Sequence, residues 1–190
     1  TEQAHFVMAV PGFERAHKDR FALGVLSALF GGNMSSRLFT EVREKRGLCY
    51  YVRSDGDSYH DVGSFGASAG VDPSRVDEAV KVVKEEFYAL ADHTGSKRIT
   101  DDEVRRAKDY LTGKTILDFE DSESIANYYG SKQLLEGKVT TQAEALAKIA
   151  AVTPEDVRRV ASSLIHNDAK LYFAMIGPFK DEERFEKILR

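Results

Sequence analysis

The chain is short of cysteine, of surplus positive charge and of long apolar runs, and each shortage excludes a class of protein. Its one cysteine, Cys49, closes no internal disulfide, and its neighbours Leu48 and Tyr50 read as the setting of a small buried hydrophobe rather than a reactive thiol. A reducing compartment, cytoplasmic in the simplest case, fits that usage. The 27 Lys and Arg stand against 31 Asp and Glu, leaving a formal charge of −4. Binding a phosphate backbone needs a basic surplus, so nucleic acid is not an expected partner. No apolar run reaches the length of a membrane span, and no basic segment followed by an apolar stretch marks a secretion signal, so no membrane role is expected. The chain opens at Thr1 and enters a strand-like run almost at once, which reads as an excised domain or a processed fragment.

What is present is enough for one core: 190 residues with 42% hydrophobic content, read as a single domain over 1–190. Gln3 to Val10 is rich in β-favouring residues and meets a turn signal at Pro11-Gly12. From His17 to Phe30, Phe21, Val25, Ala28 and Leu29 recur at helical spacing and Gly31-Gly32 ends the run. A second helix is expected from an N-cap at Ser35, through Leu38, Phe39 and Val42, to a stop at Gly47. Leu48 to Ser54 and Val62 to Val71 read as a hairpin around Asp55-Gly56-Asp57-Ser58. Asp72-Pro73 opens a long amphipathic helix through Val76, Val80, Val83, Phe87 and Leu90. Thr100 with Glu103 forms a capping box before another helix. Ser122 to Ala151 is helical by composition with a break at Gly137 and Thr140-Thr141. Thr153-Pro154 starts one more helix, and Lys170 to Ile176 is a last strand ending at Gly177-Pro178. Strands at both ends and in a central hairpin, without βαβ alternation, predict an α+β fold: two layers, a mostly antiparallel sheet with helices packed on one face.

The most informative stretch runs from Gly31 to Tyr50: a glycine turn, a short charged helix, a glycine stop and the start of a strand. Reversal at Gly47 lets a residue near the helix end face one at the strand start, and Arg43 and Tyr50 are the candidates. A guanidinium offers several fixed donors and a tyrosine hydroxyl one more, a set suited to a peptide carbonyl or a developing oxyanion. On residue types alone the plainer reading is stronger: a surface arginine paired with a glutamate, and a tyrosine packed in the sheet.

Ser35-Ser36-Arg37-Leu38, then Arg43-Glu44-Lys45-Arg46-Gly47-Leu48 and Tyr50, with Tyr59, Gly63 and Phe65 after them, resemble the signature of the C-terminal domain of pitrilysin/insulinase-type zinc metallopeptidases. Weaker similarity reaches from Pro11-Gly12 through Asp72-Pro73 and Val152-Thr153-Pro154 to Ile176-Gly177-Pro178, nearly the whole chain. In that family an arginine and a tyrosine seven residues later bind the substrate backbone, and Arg43 and Tyr50 match in type and spacing. The resemblance implies substrate binding by Arg43 and Tyr50, with Tyr50 also donating to the scissile carbonyl.

The same family holds zinc through an inverted His-x-x-Glu-His motif. Here His5, His17, His60, His93 and His166 are scattered, and none has a second histidine at ligand spacing. No metal or cofactor is therefore assigned to this chain. The resemblance implies zinc on a homologous N-terminal domain or partner subunit, hydrolysis of short or unfolded peptides by the pair, and no activity from this chain alone. The alternatives are an inactive structural or regulatory subunit of the same family, or a stand-alone peptide-binding module. Asp57, His60 and Asp61 are more simply solvated loop residues than a metal site. Gly63, Gly66 and Gly70 lack dinucleotide spacing and read as small residues permitting close approach. Ser35 and Ser36 read as helix caps, and Glu44, Lys45 and Arg46 as a solvated helix end.

Overall fold

A computed structural model describes residues 2–166 and 169–189. Its four strands form one antiparallel sheet in the order β2-β3-β1-β4. They are β1 (Ala4–Gly12), β2 (Cys49–Asp55), β3 (Gly63–Val71) and β4 (Tyr172–Ile176). Alternation decides the faces. Ala4, Phe6, Met8 and Val10 on β1 point inward with Phe65, Ala67, Ala69 and Val71 on β3, while Val7, Tyr172 and Ile176 stay exposed on the other side.

Helices cover the inner face: α1 (Arg20–Ser27), α2 (Val76–Ala89), α3 (Asp101–Asp118), α5 (Gln142–Ala151), α6 (Pro154–Leu164) and α7 (Glu182–Leu189) each bury apolar side chains. α4 (Ser122–Glu136) buries none. This is the expected α+β architecture with helices on one face of an antiparallel sheet. The capping boxes at Thr100–Glu103 and Thr153–Asp156 form, and Asp72 caps the helix start before α2 through the Ser74 N–H.

At the centre Phe30, Phe65 and Phe87 meet with ring centroids 5.8–5.9 Å apart. They tie the segment just after α1, the sheet and α2 together, and so fix where the chain can turn toward β2.

Four expectations need correction. β1 continues through Pro11-Gly12, where Pro11 lies beyond the last pairing with β4 and needs no N–H on that side. The run after α1 tightens into a π-helical turn, Ala28–Gly32, and the charged helix is a π-helical segment, Phe39–Glu44. Ser35 is no cap: Asn33 Oδ1 accepts from the Ser35 N–H at 2.8 Å, and Ser36 Oγ takes only a long 3.4 Å bond from the Phe39 N–H. The last helix, α7, was not anticipated, because its stripe of Phe185, Ile188 and Leu189 is too short to stand out in sequence.

Candidate functional site

Gly31 sits against β2 so tightly that a Cβ there would overlap the Ser54 backbone nitrogen and lie 2.7 Å from the Arg53 carbonyl carbon. Gly31 thus does more than end a helix; it seats the π-helical turn on the strand. The chain then runs through Leu38 and Val42, both fully buried, to Gly47 at φ +58°. That left-handed residue makes the reversal possible. The Gly47 N–H donates to the Arg43 carbonyl at 3.0 Å and the Leu48 N–H to the Val42 carbonyl at 2.9 Å, pinning the strand start to the helix end.

The charges in this segment sort themselves. Glu41 takes Lys45 at 2.6 Å and Arg46 at 2.7 Å, and the bond from Lys45 leads in holding its carboxyl below the usual range. Lys45 and Arg46 are therefore tied down rather than merely solvated. Arg43 is left without a carboxylate among the described residues; its guanidinium lies 5.2 Å from the Phe39 ring centre. Burial pushes the Cys49 thiol up, and the charge of Arg43 opposes it.

Tyr50 is placed by a defect in the sheet. Cys49 pairs with Val71 and Tyr51 with Gly70, so Tyr50 is the extra residue of a β-bulge. Without the bulge one of two adjacent tyrosines would turn to the core; with it, Tyr50 and Tyr51 are 57% and 38% exposed while Val52 returns to the interior. Neither half of the plainer reading describes what is seen. Among the described residues Arg43 has no glutamate partner, and Tyr50 is exposed rather than packed in the sheet. Arg43 and Tyr50 emerge from the same short reversal, though no direct hydrogen bond joins them among the described residues.

Three neighbours on the open sheet face were not singled out by sequence. Tyr51 lies flat across Gly70, where a Cβ would come within 2.9 Å of its ring, and shares a 3.2 Å hydrogen bond with His5 Nδ1. Arg53 is held beside it. The only advance signal was the Tyr50-Tyr51 pair, which breaks strict alternation.

Arg37, inside the Ser-Ser-Arg-Leu run, is structural. It forks onto Glu103, with Nε to Oε1 at 2.6 Å and Nη2 to Oε2 at 3.0 Å, and joins this segment to α3. Among the described residues no group of His, Cys, Asp or Glu is placed to hold a metal ion. His5 bonds Tyr51, His17 stacks on Phe13 with centroids 4.0 Å apart, and His93 bonds Ser162.

A family model described as the inactive domain of M16 peptidases matches residues 1–111, which include this whole segment. The chain belongs to the peptidase M16 family. It is 43% identical over 183 residues to an uncharacterized zinc protease of Streptomyces coelicolor, covering 96% of this chain and 39% of that protein. It is 30% identical to the human mitochondrial-processing peptidase subunit beta, covering 97% of this chain and 38% of that subunit. The fold matches a crystal structure of a peptidase M16 inactive domain from Pseudomonas fluorescens, with TM-score 0.80 and 23% identity, over 95% of this chain and 42% of that one. The chain thus spans about two fifths of the length of these curated M16 relatives. It is a non-catalytic domain of a zinc metallopeptidase family, as the Gly31–Tyr50 signature implied.

Proposed function

We propose that this chain is the substrate-clamping half of an M16 zinc endopeptidase acting on short or unfolded peptides, and that Arg43 and Tyr50 hold the peptide backbone. The bulge in β2 supports the reading: it leaves Tyr50 exposed at the end of the reversal that begins at Arg43, and Arg43 has no carboxylate partner among the described residues. Tyr50 donates its hydroxyl hydrogen to the carbonyl oxygen of the bond to be cut, where negative charge develops, and Arg43 grips the backbone next to it. The described residues of this chain do not fit zinc, because their histidines and carboxylates are dispersed among separate contacts. The metal belongs to a homologous half, on the same polypeptide or a partner subunit, and residues 1–190 are one domain of that larger enzyme. A cytoplasmic location agrees with the single, half-buried cysteine.

The partner reading has its own support. α4 buries none of its side chains, yet Leu134 is 83% and Leu135 46% exposed, and Ile116 and Leu117 of α3 are exposed as well. A domain working alone rarely leaves such apolar surface uncovered, and the M16 relatives are long enough to supply the cover.

Cleavage of a quenched fluorescent peptide by this chain, by the zinc-bearing half, and by both together tests the proposal. Cleavage only by the mixture, abolished by a zinc chelator, is expected. Tyr50→Phe then lowers turnover about a hundredfold with zinc content unchanged. Full activity of the Tyr50→Phe protein removes Tyr50 from the mechanism, and association without cleavage by any combination favours a structural subunit.

A further inference from the structure

We propose that Arg53 is a specificity-determining residue, selecting peptides that carry a carboxylate side chain near the backbone held at Tyr50. The inference rests on reading Tyr50 as a backbone contact and adds to it a preference of stated charge.

Arg53 leaves β2 on the same open face as Tyr51, opposite Ser68, while Val52 before it and Ser54 after it turn inward, and the bulge leaves Tyr50 exposed as well. Neutral groups hold it. Its Nε donates to Ser68 Oγ at 3.2 Å, and its guanidinium lies 6.0 Å from the Tyr51 ring centre. The Tyr51 ring is in turn fixed over Gly70 and bonded to His5. The charge of Arg53 is not consumed by these contacts. Its carboxylate neighbour, Asp55, stands at 3.9 Å, and the two side chains are 66% and 41% exposed. The strand positions on β3 that share this face are Ser64, Gly66, Ser68 and Gly70, which bring no charge. A held, exposed and weakly paired cation beside the small, uncharged residues of β3 is a recognition element for an anion.

The spacing suits an extended peptide. Tyr51 and Arg53 are two strand positions apart, about 6.6 Å along the chain, which is the repeat between same-side side chains of an extended ligand, and Tyr50, the extra residue of the bulge, precedes Tyr51. A peptide whose carbonyl meets Tyr50 therefore presents a nearby side chain to Arg53. Aspartate or glutamate there forms a charge-assisted hydrogen bond; lysine is repelled.

The test is peptide binding by the full-length protein with its zinc removed by chelator, so that binding is read without cleavage. Fluorescently labelled extended peptides identical except for Asp, Ala or Lys, scanned through the positions flanking the scissile bond, are compared by anisotropy. At one position the Asp peptide is expected to bind about fivefold more tightly than the Ala peptide, as an exposed pair of this kind allows, with Lys weaker still. Arg53→Glu inverts the order and leaves the Ala peptide unchanged, and added salt flattens it. Arg53→Gln abolishes the preference without inverting it. An Asp-to-Lys ratio unmoved by Arg53→Glu, with peptide still bound and Tyr50→Phe still impaired in turnover, overturns this inference alone. Failure of every peptide to bind, with Tyr50→Phe also without effect, overturns it together with the reading of Tyr50.

Discussion

Arg37→Ala is expected to destabilise the fold without touching the proposed peptide site. The wild-type guanidinium gives two bonds to Glu103, at 2.6 and 3.0 Å, and a third from Nη2 to the Arg98 carbonyl at 3.0 Å. The two side chains are only 11% and 18% exposed. In the variant Glu103 keeps the Thr100 N–H at 2.8 Å and the Thr100 hydroxyl at 2.9 Å, both on Oε2, while Oε1 loses its donor. Breaking a fully buried pair costs about 3–5 kcal/mol and an exposed one under about 1 kcal/mol, so a loss of about 2 kcal/mol fits this mostly covered pair. In a domain of this size that lowers Tm by about 4–8 °C. Urea unfolding monitored by circular dichroism measures it, with the slope m unchanged.

The acid dependence gives a second readout. Burial works to raise the Glu103 pKa, but the Arg37 bond and the Thr100 contacts outweigh it and hold it below its ordinary value of 4.5. A carboxylate depressed by folding stabilises the protein above its unfolded value, and that stability fades as pH falls through the lower folded value. The wild-type advantage over Arg37→Ala is therefore full at pH 7 and shrinks below about pH 4. A loss under about 0.5 kcal/mol at pH 7, or a gap that stays constant down to pH 3, refutes the assignment.

Gly31→Ala is expected to cost about 1–3 kcal/mol or more, because the added methyl meets strand backbone that cannot rotate away. Gly32→Ala is the control, since its Cβ meets nothing closer than 3.4 Å; equal losses in thermal melts would sink the close-approach argument. Leu134→Asp combined with Leu135→Asp should leave the melting temperature of this chain within a degree or two, because both side chains are exposed. The same pair should weaken association with the zinc-bearing half at least tenfold in sedimentation experiments, and an unchanged affinity would show that α4 faces solvent in the complete enzyme.

Local chemistry made much of this domain readable in advance. Thr100–Glu103 and Thr153-Pro154 announce helix starts because a capping side chain and a fixed φ act within four residues, with no help from the rest of the fold. The long helix through Phe87 is legible for a similar reason, its period being set by helix geometry alone. Gly47 marked the reversal before β2, and its positive φ is the physical content of that mark. The reversal at Gly47 raised Arg43 and Tyr50 as candidates, and the family signature gave them a role that residue types alone did not favour.

The tertiary structure alone decided the rest. Glu41 meets Lys45 at ordinary i,i+4 spacing, but its second bond, to Arg46 five residues on, goes with the π-helical winding and was not readable from an α-helical period. The bulge at Tyr50 depends on how β2 registers against Val71 and Gly70 of β3, residues about 20 positions away in sequence. The fork of Arg37 on Glu103 spans 66 positions, and the Tyr51 bond to His5 spans 46. Composition and local signals determined that this chain forms an antiparallel sheet under helices, since those choices are settled within a few residues. Which side chains face outward at the proposed clamp was settled only when distant strands came into register, because a one-residue offset there turns a tyrosine from the core to the open face.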